Sequence, residues 1–125
     1  MYAATMPPRQ IKCLVADDEP HARQVLENYV QETPGLVLVA SCRNALEALD
    51  VIESQVMDLL FLDIELPLSA GIAFLHGLED PPHVVFTTAY VEHTFQSWAL
   101  DAVYYLLKPF SLEQFRLTVQ KTGLA

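Results

Sequence analysis

With 125 residues, 52% of them hydrophobic and 18% charged, the chain suits one domain with a sizeable core and is not a disordered tail. Sixteen acids against seven bases give a net charge of −9, and the bases form no run, which excludes a nucleic-acid surface built on clustered Lys and Arg. Two cysteines, Cys13 and Cys42, cannot build a disulfide framework and read as small core residues in a reducing compartment.

Residues 1–10, with Pro7 and Pro8, read as a flexible leader without a secretory pattern. The first strand is predicted at Ile11–Ala16. A helix follows, opened by Pro20, with Ala22, Val25, Leu26, Tyr29 and Val30 on one apolar stripe. The second strand is predicted at Leu36–Ala40 and the second helix with its start marked by Asn44 and Glu47, with Ala45, Ala48, Leu49 and Ile52 as its stripe. The third strand is Leu59–Leu62, with a less marked helix at about 71–77. The fourth is Val84–Thr88, with a helix at about 92–100 carrying Phe95 and Trp98. The fifth is Val103–Leu107, and Ser111 with Gln114 spells a capping box before a last helix containing Leu112, Phe115 and Val119. The longest apolar run, Ala102–Leu107, is too short to span a bilayer.

The strand segments are continuously apolar, as strands covered on both faces are. Strict β/α alternation then predicts a single α/β domain, a doubly wound five-stranded parallel sheet with helices on both faces. Such sheets bind ligands at the carboxyl ends of their strands. The first strand runs into Asp17-Asp18-Glu19, the third into Asp63, the fourth ends in Thr87-Thr88, and the fifth runs into Lys108-Pro109. The second ends in Ala40-Ser41-Cys42, which suits an edge. Three carboxylates at close quarters repel one another and call for a cation, and magnesium suits oxygen ligands. His21, His76, His83 and His93 make no zinc-binding spacing. No P-loop, GxGxxG or GxSxG motif is present. Carboxylates, a hydroxyl and an ammonium around a cation make a phosphoryl-transfer kit. Taken singly, these residues are ordinary: Asp18 reads as a helix cap, Asp63 as a loop acid, Lys108 as a surface side chain and Thr87-Thr88 as strand filler. Their joint placement at strand ends favours a site.

The segments LVADDEP (Leu14–Pro20), LFLDIELP (Leu60–Pro67), Gly71, VFTTAY (Val85–Tyr90) and YLLKPF (Tyr105–Phe110) carry a resemblance. Over 11–121 the chain resembles the receiver domain of bacterial two-component response regulators, most like the LytR/AlgR subgroup, whose receivers precede a LytTR DNA-binding domain. The resemblance implies a flavodoxin-like fold and a cytoplasmic signalling switch that is not a turnover enzyme. It implies Asp63 as phospho-acceptor, phosphorylated by a sensor histidine kinase. It implies Mg2+ held by Asp18 and Asp63, by Asp17 mainly through water, and by the backbone carbonyl of Glu65. Thr88 would be the switch hydroxyl, ahead of Thr87, Lys108 the phosphoryl partner, Pro109 the second residue of a cis peptide, and Tyr105 the switch aromatic. The face made by the fourth helix, fifth strand and fifth helix would serve dimerisation, and DNA would be met only through an output domain. Residues 122–125 would end the domain or begin a linker. Ala70 departs from the family, which usually has an acid before the glycine, here Gly71. Glu65 and Tyr90 fall where the family tunes phosphoryl lifetime. Two alternatives stand beside this reading: a pseudo-receiver that only binds a partner, and a haloacid dehalogenase-type phosphohydrolase. The latter wants DxD on its first strand, whereas Asp63-Ile64-Glu65 follows the third.

Overall fold

The computed structural model describes residues 10–63, 80–89 and 104–124. Five strands, β1 (Ile11–Ala16), β2 (Leu36–Cys42), β3 (Leu59–Asp63), β4 (His83–Thr88) and β5 (Tyr104–Leu107), form one sheet in the order β2-β1-β3-β4-β5. All four neighbouring pairs are parallel. Three described helices accompany the sheet: α1 (Pro20–Glu32), α2 (Ala45–Ser54) and α3 (Leu112–Lys121), the last being the fifth of the predicted series. The helices expected at 71–77 and 92–100, with Phe95 and Trp98, lie outside the described residues.

Side-chain alternation divides the core into two layers. Ile11, Cys13 and Val15 of β1 and Phe61 of β3 meet Leu26 and Val30 of α1 and Phe115 and Val119 of α3. On the other face Leu14, Ala16, Leu60, Leu62 and Phe86 meet Ala48 of α2 and Met57. All five residues of β3 are buried, which is why this strand shows no polar alternation. Phe61 stacks on Phe115 with ring centroids 4.9 Å apart. Burying a side chain of this size contributes about 1.5–3 kcal/mol.

Strand β2 lies at the sheet edge and runs two residues beyond its predicted end. It carries a bulge: Cys13 pairs with Leu38, but Leu14 pairs with Ala40. Leu36 and Leu38 therefore pack with the α1/α3 layer, whereas Ala40 and Cys42 pack with the α2 layer. Uninterrupted alternation would have put all four on one face. Before β2, Gly35 adopts φ +92°, a left-handed conformation that glycine takes without Cβ strain.

The helix starts follow their local chemistry. Asn44 Oδ1 accepts from the Glu47 N–H at 2.9 Å, capping α2. Ser111 and Gln114 form a reciprocal capping box on α3. Helix α1 starts with Pro20 after Glu19 at the N-cap, and no side chain caps it. Asp18 is therefore not the cap that its position alone would suggest.

Candidate functional site

Parallel register brings the polar strand ends to one edge. Ala16 pairs with Leu62, so the next residues, Asp17 and Asp63, leave adjacent strands side by side. Strands lie about 4.8 Å apart, which places two such carboxylates within reach of one ion. Asp63 also pairs with Thr87, and Thr88 with Leu107. Asp17, Asp18 and Asp63 each offer an oxygen, and these atoms lie within 4.8 Å of one another. Asp17 and Asp63 are buried, while Asp18 is exposed.

Lys108 starts beyond β5, and its long stem reaches across the ends of β4 and β3. Its Nζ lies 3.0 Å from Asp17 Oδ2 and 3.6 Å from Asp63 Oδ2. Its backbone N–H donates to the Thr88 carbonyl at 2.7 Å. The Lys108–Pro109 peptide is cis. Thr87 and Thr88 are both buried and, by strand alternation, point to opposite faces. Tyr105 is 41% exposed, its ring stacked 6.3 Å from Phe86. Burial raises the Tyr105 phenol above its ordinary range. Tyr104, on the opposite face, packs against the α1/α3 layer. Glu65 and Tyr90 lie outside the described residues.

Two side chains of α1 hold the loops that carry the charged groups. Arg23 Nη1 donates to the Asp17 carbonyl at 2.9 Å. The Tyr29 hydroxyl donates to the Phe110 carbonyl at 3.0 Å, two residues past Lys108. Sequence reading missed both. Arg23 passed as one of the scattered bases, and Tyr29 as part of the apolar stripe, which indeed holds its ring against Phe110 and Phe115.

The donor set fits a hard divalent cation. It is made of carboxylate oxygens on a rigid edge, with no thiol or imidazole among the clustered groups. A buried acid pair beside the Lys108 ammonium, open to solvent through Asp18, is an arrangement able to handle phosphoryl charge.

This parallel sheet with acids and a lysine at its carboxyl edge defines an α/β domain of the flavodoxin-like type. The chain belongs to the response regulator receiver domain family, whose model matches residues 13–120. It is 37% identical over 114 residues to the sensory transduction protein LytR of Staphylococcus haemolyticus, covering 89% of this chain and 44% of that protein. It is 36% identical over 114 residues to the transcriptional regulatory protein BtsR of Escherichia coli, covering 89% of this chain and 47% of that protein. The chain thus spans about half the length of these relatives. Among solved structures it resembles the response regulatory domain of MrkE from Klebsiella pneumoniae, with TM-score 0.78, 27% identity, and coverage of 90% of this chain and 95% of that one. It also resembles the response regulator TrrA of Thermotoga maritima in complex with Mg2+-BeF, with TM-score 0.71, 30% identity, and coverage of 90% and 99%.

The matches to LytR and BtsR agree with the expected LytR-type subgroup. Receiver domains are phosphorylation-dependent signalling modules rather than turnover enzymes, and membership of this family sets the phosphohydrolase alternative aside. Among the described residues no helix is long and apolar enough to cross a membrane.

Proposed function

We propose that residues 11–121 form a cytoplasmic switch in which Asp63 accepts a phosphoryl group from the phosphohistidine of a sensor histidine kinase. The observation that supports this best is the convergence of Asp17, Asp18, Asp63 and Lys108 at one sheet edge. An Asp63 carboxylate oxygen forms the new P–O bond as the P–N bond of the donor breaks. The donor nitrogen leaves with the electron pair. Lys108 turns from Asp17 and Asp63 to the arriving phosphoryl oxygens, and the Thr88 hydroxyl binds another. As the resemblance implies, Asp18 and Asp63 would hold Mg2+ directly and Asp17 chiefly through water, with the carbonyl of Glu65, which lies outside the described residues, as the remaining protein ligand. Bound there, magnesium offsets charge on the phosphoryl group.

Engagement of Thr88 leaves space toward which the Tyr105 ring turns. Tyr105, Leu107 and Leu117 are exposed apolar groups along one groove of β5 and α3, which supports dimerisation through this face after phosphorylation. The partner downstream is an output domain that regulates transcription, in keeping with the names and greater length of LytR and BtsR. DNA is met through that domain, since this one carries −9.

The test is intact-protein mass after incubation with acetyl phosphate and Mg2+, beside Asp63→Asn. One phosphoryl adduct in the wild type alone is expected, and full labelling in excess EDTA would contradict the metal assignment. Equal incorporation in Asp63→Asn would move the acceptor elsewhere. No adduct, together with no beryllofluoride-induced shift in amide spectra, would favour the pseudo-receiver.

A further inference from the structure

Asp17 is held at every polar group. Its N–H donates to the Cys42 carbonyl at 3.0 Å. Its Oδ1 accepts from the Glu19 N–H at 2.9 Å, and its Oδ2 from Lys108 at 3.0 Å. Its carbonyl accepts from Arg23, a half-buried side chain one turn into α1. That carbonyl belongs to the peptide joining Asp17 to Asp18. Its direction fixes the peptide plane, and the plane fixes where the Asp18 Cα leaves the strand end. Asp18 is the exposed member of the carboxylate cluster and follows no ladder of its own. The first turn of α1 lacks a side-chain cap that would fix this loop from the helix side. Beside the Asp17 Oδ1–Glu19 N–H bond, Arg23 holds the loop from the helix with a planar donor of defined direction.

We propose that Arg23 is a positioning residue for the metal site, holding the Asp17–Asp18 peptide so that Asp18 faces Asp63. The inference rests on the magnesium reading given above. Two effects of Arg23 oppose each other. Its positive charge disfavours a nearby cation, whereas its hydrogen bond pre-organises a ligand. Outer-shell partners of metal ligands commonly carry about 10- to 100-fold in affinity. A screened charge near the surface carries less, so positioning wins.

The experiment is a Mg2+ titration of the amide NMR spectrum for the wild type, Asp18→Asn, Arg23→Gln and Arg23→Lys, with thermal midpoints measured in EDTA. Arg23→Gln removes both charge and fork, and Arg23→Lys keeps the charge. We expect both Arg23 variants to raise the half-saturating Mg2+ concentration by about tenfold, with Arg23→Lys no closer to wild type than a single point donor allows. Wild-type or tighter binding by Arg23→Gln would overturn the proposal, as would a lowered midpoint with unchanged half-saturation. No Mg2+-dependent shifts in the wild type would instead remove the metal reading and this inference with it. Binding in the wild type with loss in Asp18→Asn keeps the two failures apart.

Discussion

Lys108 carries two duties that a substitution separates. In the present structure its ammonium offsets Asp17 and Asp63, and in the proposed switch it also meets the arriving phosphoryl group. Lys108→Ala is therefore expected to accept the phosphoryl group but to lose phosphorylation-dependent dimerisation. Size-exclusion chromatography with and without beryllofluoride checks this, and an unchanged shift toward dimer in the variant would refute it. The acids and Lys108 were legible in the sequence because each follows directly on an apolar strand segment, where a parallel sheet gathers its ends. Arg23 was not legible, because its contact is to a backbone carbonyl and leaves no mark on side-chain spacing. Thr87 and Thr88 could be ranked only through the resemblance, and both prove buried.

Caps and ladders decide what is readable among the elements. The start of α3 was legible because Ser111 and Gln114 satisfy orphan N–H groups by a local code. Ser111→Ala leaves the Gln114 N–H without its cap and is expected to lower unfolding free energy by about 1 kcal/mol. Urea denaturation checks this, and an unchanged midpoint would show that the box adds nothing. Strand ends were read one or two residues short in β2 and β3, because hydrogen bonding continues past the apolar run into Ser41-Cys42 and Asp63. The bulge in β2 was invisible. An apolar run reads the same whether or not the register slips, and Val39 packs acceptably where the slip leaves it.

As a whole, the molecule buries both of its thiols within the sheet. Burial pushes Cys13 up to about 12 and Cys42 to about 11, against an ordinary value near 9. Groups raised on folding favour the native state fully below their unfolded pKa and cease to do so as pH climbs through the folded one. Thermal stability is therefore expected to fall from about pH 9 toward pH 12, and less steeply in a Cys13→Ala, Cys42→Ala double variant. Melting curves across that range check this, and parallel curves for the two proteins would exclude the thiols as the cause. The architecture itself was legible from β/α alternation and the edge place of β2 from its ending in Ala40-Ser41-Cys42, while the order of the other strands was not. Strand order rests on long-range pairing, such as that of β1 with β3, which leaves no local mark in the sequence.

The Lys108 bridge also has a temporal side. A polypeptide leaves the ribosome from its N-terminus, and early domains and motifs begin to organise before synthesis ends. Here β1, β2 and β3 are complete when Asp63 has been made, whereas Lys108 belongs to a later part of the chain. In chain order, the acids at the sheet edge thus precede their built-in counter-ion. Repulsion between Asp17 and Asp63 disfavours close approach of the β1 and β3 ends until Lys108 arrives or a cation from the surroundings stands in for it. Neutralising the acidic edge from within the fold therefore depends on the docking of β5, which carries Lys108 just past its end.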